Sequence, residues 1–598
     1  MTILTLDNKA LYYSFLSGAK QVINEKNSLN EINVFPVPDG DTGTNLASMM
    51  QTILDEAQLE QTHQATLMSL ADAAMVGARG NSGIIFAQYL NGLLESLEND
   101  ETISLDVFID SLNKAVPYAY RAISNPVEGT MITVMREFSE SMQSMRHKSK
   151  DFVNAITDAY AHAKVALQNT TNQLKVLKDS NVVDAGAKGF VHFIEGFLNY
   201  LKTGNFEAVQ KTDADIAISH IEHIDNHNQT YRYCTEALLS GDSLNVEAVR
   251  SAIEKYGDSL VVAGNSRKLR LHIHTNNPQH VFYDLRNFGN IIDQKVDDMT
   301  KQYEVAHHRK YRIALVTDSI ADLPQEYVDQ YQIHVIPVNL MIEDSNYYDK
   351  LTITSDRFYQ FMDELSTYPT SAQPNIKTIE NYYSFLSSYY DEIMVITVSQ
   401  KMSGTYGAFV KAAERFKNTA TTIKVIDSKQ NSGAEGLLVM KAAEMIAENQ
   451  SLDAIVDFIE HQRDAAQILV SVQTLKYMVR SGRVKKTVGI IGKITNLKPV
   501  ISIDKTGEGI IFDKGFSLKS SNKKIMNHVQ KVHQSPGIER YAIVHANAPE
   551  RAKEYALKFT ELTGNEPLYT MDISTVVAMS AGIGTVAIAY LERMDSTS

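Results

Sequence analysis

Between residues 7 and 204 the apolar positions recur at i, i+3 and i+4, as in L-M-S-L-A-D-A-A-M-V and I-I-F-A-Q-Y-L-N-G-L-L-E-S-L. That spacing lines one face of an α-helix, so the stretch predicts a succession of amphipathic helices. Glycine clusters interrupt it at only a few points, 39–43, 77–83, 129 and 186–189. The expectation is an all-α domain with short loops at one end. Residues 205–225 turn polar and His-containing and read as a linker. From 230 to about 308 the period changes. R-Y-C-T-E-A-L-L-S and K-L-R-L-H-I-H-T alternate like strands, with N-V-E-A-V-R-S-A-I-E-K-Y as a helix between them. From 311 onward Y-R-I-A-L-V-T-D-S, I-H-V-I-P-V-N-L, E-I-M-V-I-T-V-S and I-K-V-I-D-S are apolar strand runs separated by helical stretches. Such alternation implies a mainly parallel sheet covered on both faces. After about 465, I-L-V-S-V-Q-T-L, P-V-I-S-I-D and Y-A-I-V-H-A-N suggest a second α/β lobe. The expected domains are 1–204, 205–308 and 309–598, the last split near 465.

Length agrees with this division: 598 residues exceed what one hydrophobic core supports, and about three or four domains are expected. Hydrophobic content of 44% and charged content of 21% are those of a soluble globular chain. No apolar run is long enough to span a bilayer, and the first residues lack the pattern of a secretory signal. The single cysteine, Cys234, leaves no intrachain disulfide and suits a reducing cytoplasm. With 57 basic and 71 acidic side chains the net charge is −14. That balance, without a sustained basic run, disfavours nucleic acid as a partner.

The candidate chemistry lies at the glycine clusters. In N-V-F-P-V-P-D-G-D-T-G-T-N, Asp39 and Asp41 stand one residue apart on a stiff turn. Either this is a solvated turn or a hard cation neutralises the pair. Oxygen donors without Cys or His favour Mg²⁺. Asn33, Thr42, Thr44 and Asn45 would add neutral oxygens or orient phosphates. In G-A-R-G-N-S-G, Gly80, Ser82 and Gly83 open a helix and would offer backbone amides to phosphate. P-V-E-G-T-M-I-T and V-V-D-A-G-A-K-G are further small-residue turns, each of which a plain capping role would also explain. No P-loop sequence is present.

Taken together and in this order, these four motifs resemble the kinase domain of the fatty acid kinase A protein, itself similar to the nucleotide-binding subunit of dihydroxyacetone kinase. The resemblance covers about residues 5–204 and implies a helical barrel whose loop end binds ATP through Mg²⁺. It implies that Asp39 and Asp41 are metal ligands with Asn33 as a third. Thr42, Thr44, Asn45, Ser82 and Gly83 would line the phosphates, and Thr130, Met131, Asp184 and Gly186 would surround the nucleotide. Ala187 departs from the pattern, where a second glycine is expected.

In the middle segment, H-x-H on a strand puts His272 and His274 on one face, and Cys234 from a neighbouring strand would complete a zinc site. A half-buried strand with two polar residues and a small core cysteine explains the same residues. Y-C-T-E, G-D-S-L and H-I-H-T together resemble the middle domain of fatty acid kinase A. There, zinc's purpose stays open between structural, dimer-forming and catalytic.

From 311 to 595, T-D-S-I-A-D-L-P, P-T-S-A-Q-P, M-S-G-T-Y, V-I-D-S and R-S-G-R-V resemble the DegV proteins, two-lobed α/β fatty acid carriers that serve as the kinase's separate carrier component. The resemblance implies that Thr370, Ser371, Ser403, Gly404 and Arg483 hold the fatty acid carboxylate, which needs hydroxyl donors and a cation when buried. DegV proteins usually carry H-x-G-P-G near the C-terminus, whereas this chain reads M-S-A-G-I-G and puts Ser580 at the histidine position. Serine donates a hydrogen bond but carries no charge.

The leading expectation is therefore an ATP- and Mg²⁺-dependent acyl kinase with carrier and kinase in one chain, a phosphotransferase with a carboxyl acceptor and with Asp39, Asp41 and Arg483 at its chemistry. A non-catalytic lipid-binding or regulatory protein is the first alternative, and a glycerone or polyol kinase the second. The family suggests a homodimer, with acyl-phosphate acceptor enzymes at the membrane as downstream partners.

Overall fold

The computed structural model describes residues 2–35, 40–97, 102–123, 125–206, 230–361, 365, 367–483 and 497–594. Asp39 and most of the 205–225 linker lie outside these residues. Among the described residues no helix is long and apolar enough to cross a membrane. The chain divides into two compact units, Met1–Tyr303 and Glu304–Ser598.

The first unit opens with helices, as the i, i+3, i+4 pattern predicts. Asn8–Asn24, Thr42–Glu56, His63–Gly77, Gly80–Glu95, Leu105–Ala122, Met131–Met145, Phe152–Gln173 and Ala185–Thr203 are the long ones. Each packs on the next in this order, and Ala185–Thr203 returns to Asn8–Asn24. Their starts follow from local chemistry. Asp7, Thr62, Ser104, Asp151 and Asp184 each accept a backbone N–H of the first turn, a contribution of about 1 kcal/mol per cap. The interior is aromatic. Phe86 meets Phe193 at 5.2 Å and Phe190 at 5.6 Å, edge to face, and Phe15 meets Phe193 and Phe197 in the same way. Such pairs add about 0.5–1.5 kcal/mol each beyond the area they bury.

A four-stranded antiparallel sheet belongs to the same unit, in the order Gly257–Gly264, Lys268–Thr275, Tyr233–Ser240, Asn290–Asp298. Helix Val246–Ile253 precedes the edge strand Gly257–Gly264. Register decides which residues share a face. Cys234 lies opposite His274 and Asp297, and Glu236 opposite His272 and Lys295. Because side chains alternate along a strand, Cys234, Glu236, Arg270, His272, His274, Lys295 and Asp297 share one polar face. Leu239, Leu269, Leu271 and Ile273 line the other face of the sheet, all fully buried.

In the second unit Thr422–Asp427, Glu392–Thr397, Ile313–Asp318 and His334–Ile336 form a wholly parallel sheet. Ile376–Ser387 and Thr405–Ala413 pack beside these strands, as does Ser432–Ala447. A small antiparallel sheet joins Ser345–Tyr348, Asn339–Ile342 and Thr370–Ala372. The parallel sheet expected after residue 311 is thus found in the first lobe, and the second lobe, expected only as a further α/β lobe, is mainly antiparallel. In its six-stranded sheet only Ile538–His545 and Thr570–Asp572 run parallel, and every other pairing is antiparallel. For one of these pairings the reason is connection length. Val500–Ile503 and Gly509–Asp513 are joined by a hairpin, which imposes antiparallel pairing, whereas a parallel crossover needs a dozen or more residues.

Candidate functional site

Four of the predicted loops meet at one end of the helical region, and each is the amino end of a helix. Thr42, Gly80, Met131 and Ala185 are the first residues of their helices. Asn45 and Gly80 touch: a methyl on Gly80, whose φ is +58°, would lie 2.3 Å from Asn45 Nδ2, so neither space nor backbone admits a side chain there. Ser82, Gly186, Met131 and Asp184 also converge. A methyl on Gly186 would stand 3.4 Å from both Ser82 Oγ and Asp184 Oδ1, and 3.5 Å from Met131 Cβ. Asp184 fastens two of the helices by accepting the amides of Ala187, at 2.8 Å, and Met131. Its burial lifts its pKa to about 6 against the lowering by those two amides. Ala187, where a glycine was expected, is fully buried and supplies one of them.

The acidic turn is held by asparagines. Thr42 Oγ1 donates to Asn33 Oδ1, both residues being buried. Thr44 N donates to Asn30 Oδ1, and Asn30 Nδ2 donates to Thr44 Oγ1, each at 3.0 Å. Asn30 was not singled out by sequence because it stands 14 positions away on another helix. Asp41 precedes the helix Thr42–Glu56 without capping it through its side chain. Gly43 packs against the backbone of the preceding helix, where a methyl would fall 2.1 Å from Lys26 O. Gly43→Ala will therefore cost about 1–3 kcal/mol and lower the unfolding midpoint in a thermal melt. Gly407→Ala, inside the helix Thr405–Ala413 with nothing within 4 Å of the added methyl, will raise the midpoint slightly, since Ala favours a helix over Gly by about 1 kcal/mol.

Two expected phosphate donors are already engaged. The Gly80 amide donates to Glu236 Oε1 at 2.7 Å, and the Gly83 amide donates to Arg79 O at 3.1 Å as part of its helix. First-turn amides are those a helix leaves without intrahelical partners, which at this helix start are those of Asn81 and Ser82 beside Gly80. Thr130 spends its hydroxyl locally, donating to Val127 O at 2.8 Å.

The polar face of the sheet holds Cys234, His272 and His274 with one ligand atom from each within 4.8 Å of the others. Cys234 Sγ lies 3.7 Å from His272 Nδ1. His272 Nε2 is buried without a hydrogen-bond partner in the structure. Burial pushes the Cys234 thiol up and pushes His274 down to about 3, aided by the adjacent His272. Glu236, against the burial that raises it, is held at about 2 by His272, Lys295 and Arg79.

In the second unit a cavity of about 440 Å³ opens between the two lobes. Ile320, Val398, Met402, Asn431 and Ser432 line it from just beyond the carboxyl ends of the parallel strands, the usual location of ligands in such sheets. The other wall, with Ile468, Val470, Ile501 and Val544, is apolar. Ser371, Ser403, Gly404, Arg483 and Ser580 all line the cavity. Arg483 Nη2 donates to Ser371 Oγ at 3.1 Å, and Gly404 caps the helix Thr405–Ala413. Thr370, exposed on the strand Thr370–Ala372, is not among the residues that line it, whereas Ser371 and Ala372 are. Sequence reading missed His545, which lines the cavity from the end of Ile538–His545. Its Nδ1 is 3.6 Å from Asp572 Oδ2, and Tyr359 OH donates to Asp572 Oδ1 at 2.8 Å.

Comparison with known families follows the same partition. Residues 36–199 match the DAK2 domain, residues 230–306 the middle domain of fatty acid kinase A-like proteins, and residues 312–593 the DegV family. Matches to all three families thus fall within this one chain. An uncharacterised protein of Staphylococcus saprophyticus is 33% identical over 309 residues, which are 50% of this chain and 56% of that protein. The chain thus spans about half the length of the curated relatives it matches. Among solved structures, DegV of Bacillus subtilis, described as a fatty acid-binding protein, is 26% identical with a TM-score of 0.44, covering 47% of this chain and all of that one. A fatty acid-binding DegV family protein from Thermus thermophilus gives 26%, 0.43 and the same coverage. The four-helix end and the Cys234 face thus fall in the DAK2 and middle-domain segments, and the cavity falls in the DegV segment.

Proposed function

We propose that the chain is an ATP- and Mg²⁺-dependent phosphotransferase that converts a fatty acid to its acyl phosphate, with the fatty acid carried by the DegV segment. One observation carries this reading: a single chain pairs a DAK2 segment, where helix amino ends gather beside Asp41, with an apolar cavity that has Arg483 at its polar side. Helix amino ends attract phosphate through aligned amides and the helix dipole. The cyclic order of helix neighbours supports the barrel expected of the DAK2 resemblance. A carboxylate is ionised at neutral pH and needs no general base. Its oxygen would attack the γ-phosphorus while the bond to the β-phosphate oxygen breaks, releasing ADP. Asp41, with Asp39 and Asn33, would hold the metal, and bound Mg²⁺ supplies charge neutralisation to the phosphates. Asn45 and Ser82 would orient the phosphates, with Thr42, Thr44, Met131 and Gly186 around the nucleotide.

The test is incubation of the full chain with ATP, Mg²⁺ and a long-chain fatty acid, followed by hydroxamate trapping of acyl phosphate. Product from dihydroxyacetone or glycerol alone would replace this reading by a polyol kinase. Ser580, at the position of the DegV histidine, favours a second reading, a lipid-binding regulator without turnover. Copurifying lipid with no trapped product would select it.

Cys234, His272 and His274 fit zinc by donor type and spacing, and the unpartnered His272 nitrogen supports that assignment. Protein purified without chelator will carry about one zinc per chain, measured by elemental mass spectrometry. Cys234→Ser and His274→Ala will each lose most of it.

A further inference from the structure

The turn between the helices His63–Gly77 and Gly80–Glu95 is fastened from outside, by residues more than 150 positions further along the chain. At its far side the Gly80 amide donates to Glu236 Oε1 at 2.7 Å. At its near side Val76 O accepts from Arg270 Nη1 at 3.3 Å. Between these, Arg79 pairs with Asp293 at 3.0 Å. The three holding groups are themselves joined, since Arg270 bonds Glu236 Oε2 at 3.3 Å and Asp293 Oδ2 at 3.1 Å. Glu236 is 1% exposed and Arg270 fully buried. Neutralising Arg270 would require only the guanidinium–carboxylate contact. The bond to Gly80 is additional, and it is directed at a backbone amide beside Asn45 and two residues before Ser82.

We propose that Glu236 is a positioning residue for nucleotide. With Arg270 and Asp293 it clamps the 76–80 turn, and so holds Ser82 and Asn45 where phosphates bind. This rests on the kinase reading of the four-helix end. The strand bearing Cys234, His272 and His274 would then have a second task, since Glu236 and Arg270 occupy the same polar face. Glu236 acts here through Gly80 and not by touching substrate.

The full-length chain, E236A and the double variant E236M/R270M are compared for Mg²⁺·ADP affinity by calorimetry and for amide hydrogen exchange over residues 76–84. The double variant removes both buried charges together, an exchange that proteins tolerate when the volume is kept, so it tests the clamp where E236A alone fails to fold. Expected are faster exchange over 76–84 and about ten-fold weaker ADP binding in both variants. Wild-type affinity in E236M/R270M would reduce Glu236 to a charge partner for Arg270 and overturn the proposal. So would faster exchange without loss of affinity, or unchanged exchange. A wild-type chain that binds no ADP removes the kinase reading and takes the positioning role with it. A wild type that binds, alongside variants that bind equally well, removes the positioning role alone.

Discussion

Asp41→Asn will abolish acyl phosphate formation, with trapped hydroxamate falling at least about 100-fold, while fatty acid binding stays at the wild-type level. Asn keeps the size and one oxygen of the side chain but removes the charge that a hard cation requires. Asp41 stands at the start of Thr42–Glu56 and makes no side-chain cap to that helix, so the substitution removes no cap. Thr42 and Thr44 keep their bonds to Asn33 and Asn30, and a thermal melt unchanged within a degree or two separates lost chemistry from lost folding. A variant that retains half of its product would remove Asp41 from the metal set.

Arg483→Ala will weaken fatty acid binding on the order of 100-fold, read by titration with a fluorescent long-chain acid, and will suppress turnover at any subsaturating lipid concentration. Arg483 and His545 are the described cavity-lining residues with a side chain able to carry positive charge, and burial lowers the His545 pKa, opposing its protonation. The carboxylate would then lie beside serine hydroxyls alone, which supply hydrogen bonds without neutralising it. Arg483→Lys will recover part of the loss, since it keeps the charge but not the fork that reaches Ser371 and a carboxylate together. An Arg483→Ala chain that binds lipid as the wild type does would place the head group elsewhere in the cavity.

Much of the helical region was legible because its loops carry their own punctuation. Gly43 and Gly80 are required by close approach of neighbouring groups, and such glycines announce helix starts in the sequence itself. What these loops bond to was less legible. Gly80 looked like a phosphate donor because the first amides of a helix usually lack partners, yet Glu236 reaches it from 156 positions away. Sequence spacing carries no trace of such a bond. The H-x-H and Cys positions were readable from strand alternation, and the register brings them within ligand distance. Strand direction in the second lobe was not readable, because an apolar run looks the same whichever way it points. His545 escaped notice for a related reason: it ends an apolar strand with no motif around it, and only the fold turns it toward the cavity. At Thr370 and Ser371 a motif marked two hydroxyls, and only Ser371 lines the cavity.

Among the described residues, the loop end of the helical region is held by groups of this chain, those of the sheet included. Asn33 holds Thr42, Asn30 holds Thr44 by two bonds, and Asp184 draws two helix starts together. Its shape therefore does not wait for a ligand. On the proposed reading, a guest would find the receiving groups already ordered, and the free energy of its contacts would not be consumed in arranging them. In this sense Asn30 and Asp184 would raise affinity on that reading by having settled the guest's place beforehand.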